Sequence, residues 1–188
     1  SSDVCSSDLI INAIKTGDVN EAPRLEAMLS HTIQSNKERE MAYVRQATHD
    51  ALTGCKNRRA FDSDIAELLN AQQPFAMALV DIDNFKSIND TLGHLTGDIV
   101  LRNVAREGIQ IMQPHHVSVY RYGGEEFAVI FQAEQMSSAL SLLEAWRTAV
   151  EKRVWREENL RVTFSGGLGE WHFEPLEQFV GSVDNALY

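Results

Sequence analysis

The apolar positions of this chain change their period along its length, and the changes mark its elements. From Ala22 to His49, apart from Pro23 in what reads as a first turn, neither Pro nor Gly occurs. Leu25, Met28, Leu29, Ile33, Tyr43, Val44 and Ala47 recur at loosely helical intervals around a wholly polar middle from Ser35 to Glu40. This predicts a long helix whose apolar stripe is too thin to stabilise it alone. Such a helix needs a partner, either a second helix in a parallel coiled-coil linker or the surface of its own domain. Ahead of it, residues 1–21 read as a tail of uncertain structure. Ser1 to Leu9 is small and polar and carries no functional expectation, and Thr16-Gly17-Asp18 is a turn signal.

After the long helix, Asp50 to Gly54 makes a turn, and Asn57 is placed to cap a helix from Arg58 to Leu69. Gln72-Gln73-Pro74 breaks it, and Phe75 to Val80 is a continuously apolar run of the kind that forms a buried central strand. A short helix follows over Phe85 to Asp90, interrupted at Gly93-His94. Gly97-Asp98 precedes a strongly periodic helix through Ile99, Val100, Leu101, Val104, Ala105, Ile109 and Ile111. Val117 to Phe131 reads as a β-hairpin around Gly123-Gly124, with a primed two-residue turn in which both glycines take φ > 0. Ser137-Ser138 are placed to cap a helix from Leu140 through Val150 toward Trp155. Asn159 to Gly169 alternates as a strand, and its Gly166-Gly167 pair suits close approach to another backbone. Gln178 to Tyr188 starts a last helix. The order is that of an α+β core, βααββαβ, with an antiparallel sheet and helices on one side of it.

With 188 residues, the chain has room for one ordinary domain and an extension. An apolar fraction of 44% suits a packed core. The formal net charge of −10 argues against a non-specific nucleic-acid binder, which needs a basic face. Any polyphosphate it binds must bring divalent metal and meet a few well-placed basic side chains. Two cysteines, Cys5 and Cys55, make no disulfide framework and no metal spacing, so the cytosol is the default compartment. The scattered histidines, His115-His116 included, read as structural. No run approaches the ~20 apolar residues needed to span a bilayer, and a membrane anchor upstream in a longer parent stays open.

The candidate chemistry lies at two strand ends. Asp81 and Asp83 close the central strand and point to one face, with Ile82 opposite. Glu125 and Glu126 stand beside the glycine pair of the hairpin. Carboxylates at a strand end and a hairpin tip make a hard-oxygen site suited to Mg²⁺ bridging substrate phosphates. Taken alone, the acids at the tip are equally consistent with a solvated hairpin end.

The segment Gly123-Gly124-Glu125-Glu126-Phe127 resembles the signature of the GGDEF-domain diguanylate cyclases, in its GGEEF form. The resemblance extends from about Asp50 to Tyr188. It includes Asp50-Ala51-Leu52-Thr53, Asn57-Arg58-Arg59, Asp81-Ile82-Asp83-Asn84-Phe85-Lys86-Ser87-Ile88-Asn89-Asp90 and Gly93-His94-Leu95-Thr96-Gly97-Asp98, all in order. It implies a ferredoxin-like nucleotidyl-cyclase palm at 50–188, C-terminally truncated, after a signalling linker helix at 22–49. The implied reaction condenses two GTP into cyclic di-GMP with release of two pyrophosphates, across a homodimer, using two Mg²⁺ or Mn²⁺ ions per site.

By the same resemblance, Asp81, the Ile82 carbonyl and Glu125 are metal ligands. Glu125 and Glu126 are the catalytic carboxylates, with Glu126 either on metal or taking the 3′-hydroxyl proton. Lys86 binds phosphate, Asn89 and Asp98 read the guanine edge, and Gly123 and Gly124 let the hairpin pass close to the nucleotide. Phe127 reads as a core anchor and Asp83 as an N-cap. The turn after the linker is implied as a regulatory relay, and a sensor domain is implied upstream in the parent.

The chain also departs from the family pattern. Cys55 stands where Leu is usual, which costs little apolar volume. Relatives continue beyond Asn185-Ala186-Leu187-Tyr188 into a Lys and an Arg that contact phosphates, so this fragment is expected to be weak or inactive by itself. The alternatives are a GTP-holding or dimerising module without turnover, and an adenylyl or mixed cyclase; Asn89 and Asp98 argue against the second. Where many relatives carry an Arg-x-x-Asp product-inhibition motif, this chain has Pro114-His115-His116-Val117. We therefore predict no product inhibition through that position. The check is a calorimetric titration with cyclic di-GMP, in which binding that is lost in a His115→Ala/His116→Ala variant would contradict it.

Overall fold

The computed structural model describes residues 22–157 and 159–185. The chain divides into two compact units, Ser1–Ala47 and Thr48–Tyr188. In the first, α1 (Ala22–Thr48) is one continuous helix, with Leu29, Ile33, Met41 and Tyr43 exposed along it. The tail assigned to residues 1–21 lies outside the described residues. No helix among the described residues is long and apolar enough to cross a membrane.

The second unit is built on a four-stranded antiparallel sheet in the order β2-β3-β1-β4. The strands are β1 (Phe75–Ile82), β2 (Ser118–Arg121), β3 (Glu126–Gln132) and β4 (Phe164–Glu170). Strand β1 sits between β3 and β4 and is buried at almost every position. Alternation sends Ala76, Ala78, Val80 and Ile82 to one face and Phe75, Met77 and Leu79 to the other. Helices α3 (Phe85–Leu92), α4 (His94–Met112) and α5 (Ala139–Glu151) cover the first face through residues such as Ile88, Val104 and Trp146. Helices α2 (Arg58–Asn70) and α6 (Leu176–Asp184) cover the second through Phe61, Ile65 and Phe179. Helices on one side only, the arrangement expected from the sequence, is thus corrected. A strand apolar at consecutive positions has two faces to bury.

Boundaries move where partners decide them. Strand β4 begins at Phe164, which pairs with Ile82, the last residue of β1, so the alternating segment before it has no strand to join. Helix α4 begins already at His94, because the Thr96 and Gly97 amides reach back to the Gly93 carbonyl, and Gly93 at φ +85 makes the corner between α3 and α4. Helix α5 ends at Glu151 short of Trp155, and Arg153 turns to Glu107 of α4 at 2.5 Å. Ser138 lies at the end of a 3₁₀ segment (Ala133–Ser138) and bonds the Gln135 carbonyl, so it does not cap α5 through its side chain. Asn57 caps α2 as expected, accepting from the Ala60 amide at 2.9 Å. Of the last helix, residues 186–188 lie outside the described residues.

Trp146 is the centre of the first face. It is fully buried, its ring lies 4.8 Å from Phe164 and edge-on to Phe127 at 6.0 Å, and its indole N–H donates to the Val104 carbonyl at 2.9 Å. Gly108 leaves room for it, since a Cβ there would lie 2.7 Å from the indole. Trp146→Ala should therefore lower unfolding free energy by about 3–5 kcal/mol, measured by urea denaturation.

Candidate active site

The register of β1 against β3 assembles the acidic end of the sheet. Asp81 lies opposite Glu126, and the Ile82 amide donates to the Glu125 carbonyl at 3.4 Å. The side chains of Asp81 and Glu126 therefore share one face, a like-charge pair that opposes folding unless a cation joins it. Ile82 itself points its side chain into the core, which leaves its backbone as the group available at the strand end.

The hairpin turn differs from the primed two-residue form. Tyr122 to Glu125 connect the strands, the Tyr122 and Gly123 amides both donate to the Glu126 carbonyl, and neither glycine is in the left-handed region. Their role is space. A Cβ on Gly123 would lie 2.1 Å from a Glu126 carboxylate oxygen, whereas nothing lies within 4 Å of the corresponding position on Gly124. Gly123 thus admits the Glu126 side chain, and the surface at Gly124 is open. Tyr122 anchors the turn to α2, edge-on to Phe61 at 5.0 Å and under the Arg58 guanidinium at 3.6 Å.

Asp83 is a structural lock and makes no helix cap. Its carboxylate accepts from the Thr163 and Ser165 hydroxyls, and its amide donates to the Thr163 carbonyl, which fastens the end of β1 to the start of β4. The capping position of α3 is Asn84, in the left-handed conformation at φ 55 with no side-chain cap bond. Phe127 is fully buried, as its alternation predicted.

The guanine-edge candidates come from two helices. Asn89 of α3 and Asp98 of α4 are both half-buried. A Cβ on Gly97 would lie 1.9 Å from the Asn89 side-chain oxygen, so that side chain lies directly across the glycine beside Asp98. Lys86 stands exposed on the first turn of α3.

Burial first, then the charges of Glu125, Glu126, Asp83 and Asp184, push the Asp81 carboxyl up to about 6. Asp184, at the end of α6, was not singled out by sequence, because nothing in an amphipathic helix marks its last carboxylate as facing a distant strand. Among the described residues, no three His, Cys, Asp or Glu side chains are gathered as a ready metal cage. The donor set still fits Mg²⁺, which is usually held by one or two carboxylates with water and substrate phosphate supplying the rest.

An antiparallel palm that brings central-strand carboxylates to a glycine-rich hairpin defines the nucleotidyl-cyclase class. A family profile described as "Diguanylate cyclase, GGDEF domain" matches residues 47–188, and the chain belongs to that family. It is 36% identical over 158 residues to diguanylate cyclase VdcA of Vibrio cholerae, covering 81% of this chain and 46% of that protein. The chain spans between 39% and 56% of the length of VdcA and of DgcZ and DgcM of Escherichia coli. Among solved structures, it superposes on the coiled coil and GGDEF domain of DgcB from Caulobacter crescentus in complex with c-di-GMP. There the TM-score is 0.72 at 32% identity, covering 88% of this chain and 92% of that one. It also superposes on the active GGEEF domain of a diguanylate cyclase from Vibrio cholerae, with TM-score 0.62, 30% identity and coverage of 70% and 88%.

The folded-state pKa of Asp81 lies above its ordinary 3.8, so stability falls as pH rises from 3.8 to about 6, and the full cost of ionising it in the folded state is present above that. Asp81→Asn should raise the melting temperature of the metal-free chain by roughly 2–4 °C near neutral pH and have little effect near pH ~4. Because metal needs the ionised carboxylate, wild-type Mn²⁺ affinity should fall as pH is lowered through about 6, followed by paramagnetic resonance.

Proposed function

We propose that this chain is the catalytic part of a diguanylate cyclase that joins two GTP molecules into cyclic di-GMP and releases two pyrophosphates. The observation that carries this reading is the β1–β3 register, which sets Asp81 against Glu126 and Ile82 against the Glu125 backbone. In each half-reaction the 3′-oxygen of one GTP bonds to the α-phosphorus of the other, and the bond from that phosphorus to pyrophosphate breaks. Positioning and charge stabilisation account for most of the acceleration in such transfers.

Asp81, Glu125 and the Ile82 carbonyl are the groups that would hold two divalent ions. Those ions, when bound, acidify the attacking hydroxyl and neutralise the departing pyrophosphate. Glu126 takes the hydroxyl proton or supports the ions. Lys86 offers the phosphates a mobile point charge. Asp98 accepts from the guanine N1–H and exocyclic amine, and Asn89 completes that edge, which adenine cannot match. Gly124 leaves the turn open to the nucleotide. One site holds one GTP and the product contains two, so two copies must face each other. Helix α1 would raise their effective concentration as a coiled-coil linker from an upstream sensor.

The test is cyclic di-GMP formation from GTP and Mg²⁺, by this chain and by a form extended through its natural C-terminus. Glu125→Ala should reduce kcat by about 10²-fold or more, the range for losing a group that acts in the transition state. Asp98→Ala should raise the KM for GTP while leaving Mn²⁺ binding in place. GTP binding with no product from either form would reassign the chain as a GTP-holding module.

A further inference from the structure

Asp81 and Asp83 stand two residues apart at the end of β1, yet the protein itself uses only one of them. The register sets Ser165 of β4 directly opposite Asp81, so their side chains share one face of the sheet. The Ser165 hydroxyl nevertheless bypasses Asp81 and donates to Asp83 Oδ1 at 2.7 Å. Thr163 donates its hydroxyl to Asp83 Oδ2 at 2.5 Å, and its carbonyl accepts from the Asp83 amide at 3.0 Å. Each carboxylate oxygen of Asp83 therefore holds a hydroxyl proton. A serine hydroxyl has a single proton to donate, so the one given to Asp83 is withheld from Asp81. Among the described residues, no protein group donates to the Asp81 carboxylate in its place.

We infer that Thr163 and Ser165 are positioning residues: by giving both hydroxyl protons to Asp83, they decide which of the two aspartates stays free for a cation. The functional half of this inference rests on Asp81 being a metal ligand in the cyclase reading; the path of the Ser165 proton does not. A carboxylate that accepts a donor on each oxygen has fewer lone pairs left for a metal ion, and one without protein donors keeps all of them. Mg²⁺ tolerates little departure from octahedral geometry, so holding the second aspartate back also keeps a competing ligand out of its shell. Along the strand the two acids are equivalent, at i and i+2 on one face, and their β4 partners make them different.

The test follows the side-chain carboxyl carbons of Asp81 and Asp83 by NMR in the metal-free chain at pH ~8, where Asp81 is ionised. Ser165→Ala should move the Asp83 resonance and leave that of Asp81 in place, because the lost proton belonged to Asp83. In an Asp83→Ala background the same substitution should move the Asp81 resonance, since there the hydroxyl turns to the acceptor across the ladder. Mn²⁺ affinity, followed by paramagnetic resonance, should rise about fivefold when Ser165→Ala is added to Asp83→Ala, the effect of one hydrogen bond. Made in the wild type, Ser165→Ala should change that affinity by less than about twofold. Both members of the first comparison lack the Asp83 charge, so its loss does not enter. A general loosening of the strand end predicts the opposite, a further fall in affinity with the second substitution. An Asp81 resonance that moves in Ser165→Ala, or a double variant that binds Mn²⁺ no better than Asp83→Ala, would overturn the inference. The single Ser165→Ala variant decides the first point even where Asp83→Ala does not fold. Absence of Mn²⁺ binding from every folded form would remove the metal reading of Asp81, and the carboxyl resonances would still decide where the Ser165 proton goes.

Discussion

The register of β1 is the constraint on which the rest of the molecule depends. It is bonded on both edges, to β3 from Phe75 through Asp81 and to β4 from Ala76 through Ile82. Because its side chains alternate, a slip of one residue would send Asp81 into the face packed by Phe85 and Trp146 and move Val80 and Ile82 to the opposite face. Burial on both faces makes that slip costly, so the apolar residues of the strand fix the placement of its terminal carboxylate. Asp83, bonded to Thr163 and Ser165, closes the same end from the β4 side.

This rigidity supports an arrangement that is unfavourable taken alone. Asp81 lies opposite Glu126 across the ladder, and its burial first, then the charges of Glu125, Glu126, Asp83 and Asp184, make its carboxyl resist ionisation. Such a cluster persists because the surrounding core over-determines it, and a cation with a polyphosphate is the natural relief. The contrast with Asp50 is instructive. Burial works to raise that carboxyl as well, but hydrogen bonds from Thr53 and the Arg121 guanidinium outweigh it and hold it below the ordinary range. One carboxylate is compensated within the protein; the other is not.

Much of this was legible in the sequence where the cause is local. The apolar run of Phe75 to Val80, the cap at Asn57, the adjacent acids at both strand ends and the close approach at Gly166, where a Cβ would lie 3.1 Å from the Leu79 carbonyl, each follow from neighbouring residues. What misled was geometry set by distant partners. Gly123-Gly124 looks like a primed turn, but neither glycine is in the left-handed region, and the Glu126 carboxylate lies where a Cβ on Gly123 would be. Asp83 sits where a cap belongs, yet hydroxyls from a segment eighty residues away claim it. The alternation of Leu160 to Phe164 is that of a strand, but β1 ends before it could pair.

The sequence by itself determined which residues are candidates for chemistry and which face of each element is apolar, since both depend on side-chain type and spacing along one chain. It also determined that the candidate site is rich in acid and poor in compensating base. Only the tertiary structure decided that helices cover both faces of the sheet, that the Asn89 side chain lies against Gly97, and that the charge of Asp184 adds to those around Asp81. The bond from Arg121 to both Asp50 and Gly124 belongs to the same class. Each of these joins residues far apart in the chain, and such contacts arise from packing the whole core at once, which no local period encodes.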